Sequence, residues 1–195
     1  MSTSGWDAAY AAAPPPWDIG RPQPSIVRLA DEGAFHGRIL DAGCGSGENA
    51  LELAARGLEV WGIDGARTAI ERARAKAATR HLEATFAVAD ALNLAALDEG
   101  FDGVIDCGLF HTFEDADRAR YVQSLASVVV SGGIVHLLCF SELEPWGGGP
   151  RRVTQAEIRS ALRDGWRVER IEPERFETLL HRDGARAWLA RVVRV

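Results

Sequence analysis

Apolar runs alternate with amphipathic segments along most of the chain. Between several of the apolar runs, apolar side chains recur at helical spacing. In ARTAIERARAKAATR, for example, one helical face would carry Ala66, Ala69, Ile70, Ala73 and Ala77. The short apolar runs predict seven strands, which are RILDAG, LEVWGID, EATFAVAD, FDGVIDCG, GGIVHLLCF, WRVERIE and AWLARVVRV. Strands that alternate with helices predict a doubly wound α/β fold with a mainly parallel sheet and helices on both faces.

The last two predicted strands break this alternation, because residues 173–185 between them have no clear helical pattern. Two neighbouring strands without a crossover helix must run antiparallel. We therefore expect a Rossmann-like, seven-stranded sheet whose last strand is antiparallel. The helix before these strands opens on Thr154 and Glu157, which have the spacing of a capping box.

The N-terminal residues 1–24 differ in composition from the rest of the chain. The stretch GWDAAYAAAPPPWDIGRPQP contains five prolines and two tryptophans. This composition predicts either a disordered tail or a segment that docks on the remainder. Residues 25–195 are long enough for one domain with a substantial core, and no second domain is indicated.

A glycine-rich turn follows the first predicted strand, in ILDAGCGSGENALELAARG (39–57). A strand that enters a helix through such a turn forms a ligand site in open α/β sheets, because glycines let the ligand approach the backbone. Glu48 stands where a dinucleotide-binding motif has its third glycine. A carboxylate there disfavours a pyrophosphate and is tolerable beside a ligand with an ammonium and a sulfonium group. An NAD-dependent oxidoreductase is thus disfavoured and remains an alternative.

Two carboxylates are expected at neighbouring strand ends. Asp64 ends the second strand, where a carboxylate can accept hydrogen bonds from both ribose hydroxyls of a nucleoside. Asp90 ends the third strand and is placed to reach an adenine amino group.

These features resemble the class I S-adenosylmethionine-dependent methyltransferases. The resemblance rests on the D-A-G-C-G-S-G turn, Asp64, Asp90–Ala91, FDGVID and SGGIV, in this order. It implies S-adenosylmethionine as cofactor. The residues that it assigns to the cofactor within the domain are Asp41, Gly43, Cys44, Gly45, Asp64, Gly65, Asp90, Ala91, Asp106 and Cys107.

The N-terminal segment resembles a narrower branch, the thiopurine, thiol and halide methyltransferases and the related bacterial heterocyclic toxin methyltransferases. The resemblance rests on W-D-A-A-Y and P-P-W-D-I-G-R-P-Q-P. It implies that residues 1–24 form a lid over the cofactor, with Trp6 and Trp17 beside it. An indole face next to a sulfonium gains about 1–2 kcal/mol of cation–π attraction. Tyr10 stands where plant relatives often have a third tryptophan, and we expect it to contact the substrate. The alternative for Trp6 is packing alone.

Methyl transfer depends mostly on holding the acceptor in line and on excluding water. His111, just past the fourth strand in DCGLFHTFED, is the first candidate for a general base, since the ordinary pKa of histidine is near 6.5. Its alternative role is a helix cap or a pocket wall. Asp18 is the second candidate and can equally cap a turn. An acidic phenol, N-hydroxyl or thiol needs no base.

The methyl acceptor is predicted to be a small molecule. After the fourth strand the chain has D-C-G-L, not the (D/N)-P-P-(Y/F) of enzymes that methylate amino groups of nucleic acid bases. The net charge is −6 and no basic stripe is present, which disfavours nucleic acids and anionic membranes. Phe110 and Trp146 are expected to offer a flat apolar surface to an aromatic or heterocyclic substrate, unless they only anchor loops.

The predicted reaction is methyl transfer to oxygen, sulfur or nitrogen of such a molecule. Two alternatives keep the cofactor, namely a halide or thiol methyltransferase and a cofactor-binding protein without turnover. The three scattered cysteines have no metal-binding or redox spacing, so we expect no metal and a reducing, cytoplasmic location. We expect neither a signal peptide nor a membrane span, and the state is a monomer or weak homodimer.

Overall fold

The computed structural model describes residues 3–12, 14–145 and 147–195. Trp146, one of the expected substrate contacts, lies outside these ranges. The strands are β1 (Arg38–Ala42), β2 (Glu59–Asp64), β3 (Thr85–Val88), β4 (Phe101–Cys107), β5 (Val129–Phe140), β6 (Trp166–Thr178) and β7 (His181–Arg194). The α-helices of the described ranges are α1 (Thr3–Ala12), α2 (Pro24–Asp31), α3 (Glu48–Ala55), α4 (Arg67–Arg80), α5 (Asp115–Val128) and α6 (Gln155–Ala161).

The seven strands form one sheet in the order β3-β2-β1-β4-β5-β7-β6. The pairs from β3 to β5 are parallel, and β7 runs antiparallel to both β5 and β6. The predicted fold class, including the antiparallel last strand, is confirmed. The strand order reverses direction between β1 and β4, and ligands of open α/β sheets bind outside the carboxyl ends of strands at such a point.

Helices cover both faces of the sheet, as predicted. Successive side chains of a strand point to opposite faces. In β1, Leu40 belongs to the core beneath α5 and α6, whereas Ile39 belongs to the core beneath α2, α3 and α4. Burial on both faces explains why the central strands appear in the sequence as continuous apolar runs. No helix among the described residues is both long enough and apolar enough to cross a membrane.

The hairpin of β6 and β7 is longer than the sequence indicates. Residues 173–185, predicted as a connection, are almost entirely strand, and only Leu179 and Leu180 separate the two strands. The prediction fails here because β6 is the edge strand and its side chains are mostly polar or exposed. Phe176 and its partner Ala185 are buried, so the hairpin still contributes to the core.

The described part of the N-terminal segment docks on the domain. Helix α1 packs on α4, where the Asp7 carboxylate accepts a hydrogen bond from the Thr68 N–H at 2.8 Å. Further along, the Pro16 carbonyl accepts from the Leu179 N–H at 2.8 Å. The segment is thus attached both to a helix beside β2 and to the tip of the β6–β7 hairpin. Of the two sequence-based alternatives for this segment, the structure shows the docked one.

Candidate active site

The turn after β1 brings three chain segments together at glycine positions. Gly43 and Gly45 have φ of 72° and 52°, values that favour glycine. A Cβ on Gly43 would lie 3.1 Å from the Leu109 side chain, and a Cβ on Gly45 would overlap the Tyr10 hydroxyl. A Cβ on Gly47 would instead lie 2.8 Å from the Ala73 side chain in α4. Gly45 therefore faces the N-terminal segment and Gly43 faces the segment after β4, whereas Gly47 allows helix packing.

Asp64 joins this turn to the end of β2. Its Oδ2 accepts from the Gly45 N–H at 2.9 Å, and its Oδ1 accepts from the Ala66 N–H at 2.7 Å. Burial raises the pKa of Asp64, and these two N–H donors act against that rise. Each carboxylate oxygen can accept a further hydrogen bond. The side chain is therefore fixed in place and still able to bind a diol. Gly65 follows directly and is half-buried.

Asp41 and Asp106 are fully buried at the ends of β1 and β4. Asp41 Oδ2 accepts from the Ala50 N–H at 3.1 Å, while Oδ1 has no partner in the part of the chain that the structure describes. Burial raises the pKa of Asp41 to about 7 and that of Asp106 to about 6. Asp106 holds the turn after β4, since it accepts from the N–H groups of Leu109 and Phe110. Asp41 thus retains an acceptor that a cationic group would satisfy.

The remaining cofactor candidates of the domain border this edge. Asp90 is exposed, and its carboxylate accepts from the Leu92 N–H at 2.9 Å at the start of a 3₁₀ helix. Ala91 follows it in that helix. Cys44 lies in the turn after β1 and Cys107 is the last residue of β4, and both are free, half-buried thiols. Contact of these four residues with the cofactor stays a prediction.

The aromatic side chains of the N-terminal segment form one cluster. The rings of Trp6 and Trp17 meet edge to face with centroids 5.5 Å apart, and Trp17 Nε1 donates to the Tyr10 hydroxyl at 2.9 Å. Tyr10 is only 3% exposed and packs with Ala66 and Ala69. Burial, with a smaller contribution from the Asp64 charge, raises the pKa of Tyr10. The Tyr10 hydroxyl lies at the cofactor turn, next to Gly45, and its expected contact with the substrate stays a prediction.

The two candidate bases have different surroundings. Asp18 lies in a turn, where its N–H donates to the Pro15 carbonyl and its Oδ1 accepts weakly from the Gly20 N–H at 3.4 Å. This is the turn-capping alternative, and catalysis by Asp18 stays a prediction. His111 lies in the 3₁₀ turn Phe110–Thr112, and its Nδ1 accepts from the Phe140 N–H at 2.9 Å. Burial, together with nearby arginines, lowers the pKa of His111 to about 3.

This environment disfavours His111 as a general base. A backbone N–H can only donate, so Nδ1 must be the unprotonated nitrogen and Nε2 carries the hydrogen. The one basic lone pair of the ring is therefore already used. The sequence did not reveal this, because Phe140 lies far along the chain at the end of β5.

Two other sequence-based expectations change. Phe110 is 0% exposed, and the Arg118 guanidinium covers its ring at 4.5 Å from the centroid. It is a core residue and offers no surface to a substrate. The Glu48 carboxylate pairs with Lys76 at 2.8 Å and Arg80 at 2.9 Å on α4. Glu48 thus faces away from the ligand side of the turn, and its charge does not separate a pyrophosphate from a sulfonium ligand.

Comparison with known proteins assigns the family. A family model described as a methyltransferase domain matches residues 39–133. The 2-heptyl-1-hydroxyquinolin-4(1H)-one methyltransferase of Mycobacteroides abscessus is 41% identical over 168 residues, which are 85% of this chain and 74% of that protein. The probable thiol methyltransferase 2 of Arabidopsis thaliana is 31% identical over 163 residues, 83% and 72% of the two chains.

A solved structure agrees over nearly the whole fold. That structure comes from work on the conversion of a disulfide bond into a thioacetal group during echinomycin biosynthesis. It matches this chain with a TM-score of 0.90 and 37% identity, and the match covers 99% of this chain and 93% of that chain. Magnesium protoporphyrin IX methyltransferase from Synechocystis with bound S-adenosylmethionine shares the fold at a TM-score of 0.67 and 24% identity, over 88% and 76% of the two chains. The chain belongs to the S-adenosylmethionine-dependent methyltransferases.

The residues at the turn fit this cofactor. The fixed Asp64 carboxylate suits a ribose diol, and the unpartnered Asp41 Oδ1 suits an ammonium group. The absence of side chains at Gly43 and Gly45 lets Leu109 and Tyr10 approach the turn closely, so that these two residues border the place where the cofactor would bind. When bound, S-adenosylmethionine supplies an activated methyl group on a sulfonium whose leaving group is neutral. The enzyme therefore has to bind, orient and desolvate the acceptor.

Proposed function

We propose that this enzyme methylates oxygen, sulfur or nitrogen of a small aromatic or heterocyclic molecule, and that acceptors with an acidic hydroxyl or thiol react best. One observation carries the proposal. The N-terminal segment lies across the cofactor turn, with Tyr10 against Gly45 and Pro16 bonded to Leu179 of the hairpin. A site covered from both sides suits a small acceptor better than a polymer.

The side chains beyond β4 support an aromatic acceptor. The rings of His111 and Phe140 lie 4.8 Å apart between centroids, and those of Phe140 and Phe176 lie 5.3 Å apart. This aromatic cluster adjoins Gly108, where a Cβ would lie 2.9 Å from the Phe176 ring. The three rings are mostly buried, unlike a free surface, so a flat acceptor would meet only the small exposed part of the cluster, stacked or edge to face. The hydroxyquinolone named for the Mycobacteroides relative is an acceptor of this shape.

Residues 1–24 are proposed as the lid, and residues 25–195 as the catalytic domain. Trp6 and Trp17 would border the sulfonium, and Tyr10 joins them on the cofactor side. Their mutual contacts and the burial of Tyr10 support this arrangement. Closing the site over the reacting atoms removes water and strengthens local electrostatic interactions.

A thiol acceptor is the second candidate. It is supported by the 31% identity to the Arabidopsis thiol methyltransferase. The thiocyanate methyltransferase 1 of Brassica oleracea is more distant, at 27% identity. A halide or thiocyanate has no ring to meet the aromatic cluster and is disfavoured for that reason. The oxidoreductase alternative is set aside because the family is assigned.

The experiment is a panel of acceptors with methyl-deuterated S-adenosylmethionine and detection of products by mass. The panel contains 2-heptyl-1-hydroxyquinolin-4(1H)-one, 4-nitrothiophenol and thiocyanate. We expect a labelled product with the first or second compound at a higher kcat/KM than with thiocyanate. Cofactor binding without any product would indicate a protein without turnover, and thiocyanate as the best acceptor would contradict the aromatic assignment.

We also propose a cytoplasmic location and a monomer or weak homodimer. The cysteines Cys44, Cys107 and Cys139 are all free, which supports a reducing compartment.

A further inference from the structure

The tautomer of His111 is fixed by the fold. The Phe140 N–H donates to Nδ1 at 2.9 Å, at the point where β5 ends. The hydrogen of the neutral ring is therefore on Nε2. His111 is only 4% exposed, and within residues 3–12, 14–145 and 147–195 its Nε2–H has no hydrogen-bond partner. Since no described residue accepts this hydrogen, the acceptor atom of a ligand would complete its hydrogen bonding.

The position of Nε2 is next to the expected site of reaction. It would lie 3.4 Å from a Cβ on Gly108, the residue that follows β4. The neighbouring Leu109 side chain packs against Gly43 in the cofactor turn. Nε2–H of His111 thus lies at the same sheet edge as the cofactor turn, two residues along the chain from Leu109, whose side chain touches that turn.

The charges around His111 favour an anion. Arg152 and Arg118 are close enough to help keep the ring neutral, and the Arg152 guanidinium lies 5.3 Å from the centroid of the Phe140 ring. Across that ring, the His181 imidazole pairs with Glu144 at 3.4 Å. On the core side, the Asp106 carboxylate already accepts hydrogen bonds from the backbone N–H groups of its own turn.

We propose that His111 acts as a hydrogen-bond donor, through Nε2–H, to the anionic oxygen or sulfur of the methyl acceptor, and that no side chain removes the acceptor's proton. The inference rests on the proposed function. The acceptor loses its proton to solvent before it binds. Its lone pair then forms the bond to the methyl carbon while the bond from that carbon to the sulfonium sulfur breaks, and the sulfur keeps that electron pair as a neutral thioether. His111 keeps its proton throughout.

The test uses two substitutions that separate the ring nitrogens. His111→Asn keeps an acceptor near the Nδ1 position for the Phe140 N–H and loses the distal donor. His111→Gln places an amide N–H near Nε2 and loses the contact to Phe140. With 2-heptyl-1-hydroxyquinolin-4(1H)-one as acceptor, we expect the Asn variant to raise the acceptor KM about ten-fold or more without a change in cofactor Kd. The Gln variant should recover most of that loss while unfolding at a lower temperature.

A second measurement needs only the wild-type enzyme. The pH dependence of kcat/KM is recorded for the hydroxyquinolone and for 4-nitrothiophenol. If the acceptor must ionise in solution, the midpoint of each profile follows the pKa of that acceptor. One midpoint shared by both acceptors would assign the titration to a protein base and overturn the inference. An unchanged KM in the Asn variant would also overturn it. Failure of the wild type to methylate any acceptor would instead overturn the proposed function.

Discussion

The carboxylate of Asp7 in α1 accepts a hydrogen bond from the backbone N–H of Thr68 in the first turn of α4, at 2.8 Å. The N-cap residue of α4 is Ala66, whose side chain cannot cap the helix. The N-terminal segment therefore supplies the cap that the helix lacks. Since only Ala66 separates α4 from Asp64 and Gly65, this bond couples the position of the N-terminal segment to the end of β2.

Substitution Asp7→Ala should loosen the lid. The first-turn N–H groups of α4 lose their acceptor, and α1 loses one of its attachments. We expect cofactor affinity and turnover to fall by a few-fold, because the lost cap destabilises the start of α4 next to Asp64. Isothermal titration calorimetry measures the first effect and initial rates measure the second. Asp7→Asn is the matched control, since an amide oxygen can still accept, and equal losses in both variants would contradict the capping role.

Substitution Asp64→Ala should weaken cofactor binding by about ten-fold or more, because a buried carboxylate that accepts two hydroxyl hydrogen bonds contributes about 1.5–3 kcal/mol. The structure adds a second consequence, namely a lower melting temperature, since the N–H groups of Gly45 and Ala66 lose their acceptor. Calorimetry and thermal unfolding separate the two effects. Unchanged affinity together with a lowered melting temperature would leave Asp64 with a structural role alone.

The buried Asp41 should make the cofactor-free enzyme less stable at high pH. Its folded pKa of about 7 exceeds the ordinary value of 3.8, so its contribution to stability is complete below pH 3.8 and is lost as the pH rises through 7. Asp106, with a folded pKa of about 6, acts in the same direction. We expect Asp41→Asn to melt at a higher temperature than the wild type at pH 8 and to lose less stability between pH 5 and pH 8. Identical melting curves at both pH values would exclude this carboxylate as the cause.

Gln23 should hold the lid to the hairpin. Its side-chain amide donates to the Glu177 carbonyl and accepts from the Glu177 N–H, each at 2.9 Å. Gln23→Leu keeps a similar volume and leaves both backbone groups unpaired, so we expect a loss of about 1–3 kcal/mol in the free energy of unfolding. Chemical denaturation measures this loss, and faster hydrogen exchange at Leu179 would locate it. Glu32→Ala, at an exposed ion pair, is the control and should be nearly neutral.

Local signals were enough for much of the fold. The alternation of apolar runs located β1 to β5 and the helices between them, and the capping box of Thr154 and Glu157 is present as predicted. The absence of a predicted crossover helix before the last strand correctly indicated that β7 is antiparallel. The outer part of the hairpin was not predicted, because an edge strand with polar side chains has no apolar run. Phe176 and Ala185 nevertheless pair there.

The site depended on contacts that no local pattern encodes. The motif located Asp64 and the glycine turn, but the bond between the Phe140 N–H and His111 joins segments 29 positions apart. Tyr10 and Gly45 meet across a similar distance along the chain. The sequence does contain one signal: Ala66, the N-cap residue of α4, has no side chain that can cap the helix, which indicates that another segment supplies the acceptor.

The most direct test of the account is a crystal structure of the enzyme with S-adenosylhomocysteine. We expect the ribose at the Asp64 carboxylate, the amino acid portion near Asp41 and the turn at Gly43 and Gly45, and α1 closed above the ligand. A ligand bound elsewhere, or an Asp64 carboxylate turned away from the ribose, would contradict the central claim that this glycine turn and Asp64 hold the cofactor.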